Sequence, residues 1–315
     1  MTALKNHIPY RLTNINQEVE IHWLYTADIP FAEPFFDETI SKCLSVNPGR
    51  GRFRCITSLE TMIEAASRAD YIPVTSFIFH ISRCGSTLLS QSLSISEEHI
   101  VLSEVPFFDA ILRSCLIQQE KKKEALVAAV KLYGQIRNVQ QKRLYVKLDS
   151  WSVYYWRLFR ELWPEVPFLM LYRNPAEVLY SHQKNAGMHA VPGLLEPWLF
   201  NLSEESVAGL RLDAYLSQVL SYYFSEFKKI KNEDSLSVLL SYHQGIESII
   251  KTVRKLVALA DDEKFLDLVK ERSRYHSKDN ERLFAEIVPR KPMPEFLKEA
   301  FDKFTELENI RETGS

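Results

Sequence analysis

A chain of 315 residues, 46% hydrophobic and 25% charged, has an ordinary globular composition and can bury a sizeable core. Its formal net charge of −2 excludes a global basic field for nucleic acid or anionic membrane, so any anion site is local. Four scattered cysteines (Cys43, Cys55, Cys84, Cys115) with no C-x-x-C pair exclude a disulfide framework, and no run approaches the roughly 20 apolar residues of a membrane span.

The opening M-T-A-L-K-N-H-I-P-Y has no apolar core of the signal-peptide kind, which with the thiols predicts a cytoplasmic protein. Residues 1–75 are aromatic-rich (Trp23, Tyr25, Phe31, Phe35, Phe36) and broken by Pro30, Pro34 and Pro48, and read as an N-terminal appendage of mixed structure. From residue 76 to 315 short apolar runs alternate with amphipathic stretches. The strands expected are Phe77–Ile81, Ile100–Ser103, Leu144–Leu148, Phe168–Tyr172 and Ser237–Ser241. Helical patterns lie between and after them, at Thr87–Leu93, Phe107–Leu116, Lys121–Asn138, Ser152–Leu162, Ala176–Asn185, Leu212–Lys231 and Gly245–Leu259. Strands separated by helices predict an α/β domain with a mostly parallel five-stranded sheet and helices on both faces. Residues 187–209, with Pro192, Gly193, Pro197 and Trp198, interrupt that rhythm as an insertion of the lid or binding-loop kind. Ligands of such sheets gather beyond the carboxyl ends of the strands. Glu104, Asp149 and Arg173 all stand at such ends, as does the first loop.

That loop is S-R-C-G-S-T, Ser82–Thr87, directly between a strand and a helix. Arg83, Cys84, Gly85, Ser86 and Thr87 offer backbone N–H groups, hydroxyls and a guanidinium at a helix N-terminus, where the dipole favours anions. The lysine that an ATPase loop carries before its Ser/Thr is absent, and Ser86 takes its place. A simple capped turn is the alternative. A second anchor, L-Y-R-N-P-A-E-V-L-Y-S-H, puts Arg173 at a strand end, Asn174 as N-cap and Pro175 in the first helical turn. Ser181 follows Arg173 by eight positions, about two turns along that helix.

Together the two stretches resemble the sulfotransferases that use 3′-phosphoadenosine 5′-phosphosulfate (PAPS). In that family a P-K/R-S-G-T/S-T segment holds the 5′-phosphosulfate and a later R-x(7)-S stretch holds the 3′-phosphate. Ser82 and Cys84 depart from the first pattern, and the second keeps its spacing. The resemblance covers roughly residues 76–280 and implies a P-loop NTPase-like sulfotransferase fold, with PAPS as donor substrate and no metal. It further implies a sulfuryl group moved to a hydroxyl or amine of a small-molecule or carbohydrate acceptor. Arg83 stands where many members place a catalytic lysine. Glu104 is the expected general base, with helix capping as its alternative. Lys147, in L-Y-V-K-L-D, only partly matches a family segment and is expected to touch donor or acceptor, with Asp149 as a possible partner. Lys278, in the basic stretch R-S-R-Y-H-S-K-D, is expected on the donor, with a solvated charge run as the alternative, since the family's G-x-x-G-x-x-K loop is absent. His80 reads as a hydrogen-bonded interior histidine. No His/Cys/Asp spacing suggests a metal site. The alternatives are a P-loop kinase or nucleotide hydrolase, or a non-catalytic nucleotide-binding protein.

Overall fold

The structure, a computed structural model, describes residues 4–46, 55–184, 187–260, 262–277, 279–283 and 293–314. In chain order the elements begin with strands β1 (His7–Ile15) and β2 (Glu18–Tyr25), helix α1 (Phe36–Val46), β3 (Cys55–Ser58) and α2 (Leu59–Ser67). They continue with β4 (Val74–His80), α3 (Ser86–Leu93), β5 (His99–Ser103), α4 (Pro106–Arg113), α5 (Gln119–Tyr133) and β6 (Arg143–Lys147). After a 3₁₀ stretch come α6 (Trp156–Leu162), β7 (Phe168–Tyr172), α7 (Pro175–Lys184), α8 (Glu204–Val207), α9 (Leu212–Glu233) and β8 (Ser237–Ser241). The chain closes with α10 (Ile246–Leu256), α11 (Glu263–Ser273), β9 (Tyr275–His276), β10 (Asp279–Leu283) and α12 (Lys298–Thr313). The five-stranded sheet runs in the order β5-β6-β4-β7-β8 and is flanked by helices, the α/β arrangement expected from the alternating pattern.

Two compact units divide the chain. The first comprises Met1–Phe77, Ser90–Asp149 and Leu158–Val166; the second comprises Ile78–Leu89, Ser150–Arg157 and Pro167–Ser315.

In the first unit β1, β2 and β3 form an antiparallel sheet. Asn16 and Gln17 join β1 to β2 with φ of 52° and 69°, the left-handed pair that a two-residue hairpin requires. The Trp23 indole donates to Thr57 Oγ1 across β2 and β3 at 2.9 Å. The Tyr133 hydroxyl, at the end of α5, donates to the Pro9 carbonyl at 2.6 Å and ties the appendage to the helical layer. Phe36 and Phe108 meet the same Tyr133 ring edge-on. Strands β5 and β6 pair in parallel, Ser103 opposite Lys147.

In the second unit every residue of β7 is buried, as an apolar run covered on both faces must be. β8 pairs with it in parallel, Tyr172 opposite Ser241. Helix α9 buries Tyr215, Leu216, Val219, Leu220, Tyr223, Phe224 and Phe227, and it packs against α12 and α7. Residues 187–209 hold two 3₁₀ turns (Met188–Ala190 and Pro197–Phe200) and the short α8, whose Ser203 and Ser206 form a capping box. Among the described residues no helix is long and apolar enough to cross a membrane. All four cysteines are free thiols, Cys43 and Cys84 buried, Cys55 and Cys115 exposed.

Candidate functional site

In the second unit β4 delivers the chain into a strained turn. Ile81 N–H donates to the Leu171 carbonyl at 3.1 Å, fixing the loop to β7. Arg83 and Gly85 then take φ of 59° and 87°. Backbone of alternating hand turns successive N–H groups toward one point and suits an anion. For Arg83 that conformation costs of order 1–3 kcal/mol, a burden usually met at functional turns. Gly85 has a second constraint: a Cβ there would stand 2.8 Å from two atoms of the Tyr242 ring. Ser86 and Thr87 open α3 and are buried, with Ser86 Oγ 3.2 Å from His80 Nδ1. The same His80 nitrogen lies 2.9 Å from the Ile81 carbonyl, so His80 is the hydrogen-bonded interior histidine expected. The Arg83 guanidinium is half-buried, and burial pulls its pKa below the ordinary arginine value.

Arg173 leaves the end of β7 only 4% exposed. Its Nε donates to Glu177 Oε2 at 2.6 Å, Nη1 donates to the Arg83 carbonyl at 3.4 Å, and its Cζ lies 4.1 Å from the Tyr242 ring centroid. Glu177 Oε1 is 3.4 Å from His243 Nε2. Asn174 Oδ1 accepts from Ala176 N–H at 2.9 Å, the capping expected of it. Ser181 lies two turns further along α7, half-buried. A cavity of about 350 Å³ opens beside the loop, lined by Cys84, Gly85, Leu171, Tyr242, His243 and Ile249 among others.

In the first unit Glu104 follows β5 with φ of 55°. Its N–H donates to the Lys147 carbonyl at 2.8 Å, and its Oε1 pairs with Lys147 Nζ at 2.6 Å. Lys147 is fully buried, and its ammonium lies 5.2 Å from the Phe35 ring centroid. A buried ammonium demands a partner. Glu104 supplies it and does not cap α4, whose N-cap is Val105 without a side-chain hydrogen bond. The Asp37 carboxyl is pushed up, first by burial and then by the Glu104 charge.

The loop residues and Arg173 are thus brought together in the second unit, and Glu104 and Lys147 in the first. Lys278 lies outside the described residues. Arg272, six residues earlier in sequence, donates to the carbonyls of Tyr275, His276 and Ser277 at 3.5, 3.3 and 3.0 Å and so holds the turn that follows α11. Sequence reasoning missed Glu177, Tyr242, His243, Phe35 and Asp37. A signal existed for three: Glu177 stands four residues after Arg173, in the first turn of the helix that follows it, and Tyr242–His243 follow a strand end as Arg173 does. Among the described residues no group of three His, Cys, Asp or Glu is arranged to hold a metal ion.

No family profile and no curated protein sequence matches the chain. Solved structures do. A sulfotransferase from Alicyclobacillus acidocaldarius is 16% identical, over 76% of this chain and 96% of that one, with a TM-score of 0.44. Sulfotransferase STF9 from Mycobacterium avium is 11% identical over 81% and 80% of the two chains, with a TM-score of 0.46. Mouse sulfotransferase SULT7A1, solved in complex with PAP, is 12% identical over 82% and 92%, with a TM-score of 0.39.

Proposed function

We propose that this chain is a sulfotransferase that moves a sulfuryl group from PAPS to a hydroxyl or amine of a small-molecule or carbohydrate acceptor. One observation carries the proposal: the two anchors meet. The Tyr242 ring touches the Gly85 position and the Arg173 guanidinium at once, and Arg173 reaches the Arg83 carbonyl. A loop without the ATPase lysine, closed by a second arginine, suits a ligand with two separate phosphate positions.

Sulfuryl transfer is an in-line displacement in which positioning and charge stabilisation dominate, as in phosphoryl transfer. The acceptor oxygen or nitrogen forms a bond to sulfur while the bond from sulfur to the bridging oxygen breaks. The acceptor proton passes to Glu104, and the electron pair stays on the departing 5′-phosphate. Arg83 steadies that developing charge, and as an arginine it acts electrostatically and donates no proton. Backbone N–H groups from Cys84 to Thr87 hold the 5′-phosphosulfate, Arg173 and Ser181 the 3′-phosphate, and Lys278 is kept as a donor contact. Lys147 is a positioning residue: its 2.6 Å ion pair aims the Glu104 carboxylate. No step calls for a metal.

The test is transfer of ³⁵S from labelled PAPS to a panel of phenols, amines and sugars. Labelled product and adenosine 3′,5′-bisphosphate released one for one support the proposal. Phosphoryl transfer or hydrolysis with ATP, and no sulfur transfer, would overturn it.

A further inference from the structure

Glu177 occupies the arginine that the donor needs. Its Oε2 accepts from Arg173 Nε at 2.6 Å while its Oε1 stays 3.4 Å from His243 Nε2. Glu177 is on α7 and His243 in the turn after β8, so one carboxylate spans two cationic or ionisable groups on separate elements. The pair is not an ordinary surface contact. Arg173 is 4% exposed and its guanidinium face is covered by Tyr242, so its charge is largely desolvated and strongly coupled to any anion beside it. His243, by contrast, is about half exposed and has water as an alternative.

We infer that Glu177 is an internal competitor for the ligand's terminal phosphate, a specificity-determining residue, and that His243 receives the carboxylate when the phosphate arrives. The inference rests on the donor reading above, with Arg173 as the 3′-phosphate contact. Physically, a phosphate approaching Arg173 meets a like charge on Glu177. The carboxylate swings from Nε toward His243, a short movement because its second oxygen already points there. A ligand lacking the terminal phosphate does not displace it. Glu177 therefore lowers affinity for the bisphosphate product as well as for the donor, which favours release after turnover. His243 lessens that penalty by giving the displaced carboxylate a partner.

The test is calorimetric titration of the full chain with adenosine 3′,5′-bisphosphate and, separately, with 5′-AMP. Glu177→Gln is expected to bind the bisphosphate roughly tenfold more tightly and 5′-AMP unchanged. His243→Ala is expected to bind the bisphosphate several-fold more weakly, again with 5′-AMP unchanged. Removing a carboxylate from a buried arginine risks the fold, so Glu177→Asp, which withdraws the charge by one methylene, is measured alongside and shifts affinity in the same direction. A purely structural role for Glu177 moves both ligands together or weakens the bisphosphate; either result overturns the inference. A wild-type chain that binds no bisphosphate overturns the donor reading itself.

Discussion

Two buried cations stand at two strand ends, each beside a carboxylate 2.6 Å away, yet they are built differently. At the end of β6, Lys147 is fully buried and its partner Glu104 comes from a neighbouring strand's end, on a left-handed residue tied to the Lys147 carbonyl. At the end of β7, Arg173 takes its partner Glu177 from the first turn of the following helix, while its Nη1 donates to the Arg83 carbonyl and its guanidinium face lies on the Tyr242 ring. A lysine presents its charge at one ammonium, whereas a guanidinium spreads its donors over a planar fork, so Arg173 holds Glu177 through Nε and the Arg83 carbonyl through Nη1. The left-handed backbone at Glu104 is the sign of which member of the first pair was placed at a cost.

The largest effect that divides the pairs is on turnover. Glu104→Gln keeps an oxygen for the Lys147 ammonium but removes the base, and initial transfer rates should fall about 10²–10⁴-fold. Bisphosphate affinity should stay near normal in that variant, and an unchanged rate would remove Glu104 as base. On stability, Glu104→Ala orphans a fully buried ammonium and should lower the unfolding free energy by about 3–5 kcal/mol in urea titration. Adding Lys147→Met should restore most of that loss; a double variant as unstable as the single one contradicts the pairing.

A smaller effect is expected at the loop. Gly85→Ala meets both a φ of 87° and the Tyr242 ring, and should cost of order 1–3 kcal/mol in thermal or urea unfolding. Tyr242→Ala in the same chain should recover the steric part only, leaving the backbone part. Smallest is Asp37. Its folded-state carboxyl sits above the ordinary value of 3.8, so its ionisation costs stability as pH rises through that region. Asp37→Asn should stabilise the protein at pH 7 by less than about 1 kcal/mol, since the group is partly solvated, and make no difference near pH 3. Equal gains at both pH values would contradict the carboxyl's raised pKa.

Much of the sheet was legible because strands buried on both faces leave uninterrupted apolar runs. Phe168–Tyr172 and Ser237–Ser241 read from sequence coincide with β7 and β8. β4 starts three residues earlier than the expected Phe77, since Val74-Thr75-Ser76 carries too little apolar signal although Ser76 is fully buried. The pattern Lys121–Asn138 stops at Tyr133, where Gly134 caps the helix. The expected helix Ser152–Leu162 begins as a 3₁₀ stretch from Ser150 to Tyr155. Arg173 and Glu104 were legible as polar residues at the ends of apolar strands. Their partners were less so. The Tyr242 ring on Gly85, Phe35 beside Lys147 and the reach of Glu177 to His243 depend on chain segments far apart in sequence, and no local pattern encodes them.

The most direct measurement is a calorimetric titration of the unaltered chain with adenosine 3′,5′-bisphosphate and with magnesium ATP. A loop closed by Arg173 in place of a loop lysine predicts clear preference for the bisphosphate, lost in Arg173→Ala. Preferential binding of ATP would contradict it.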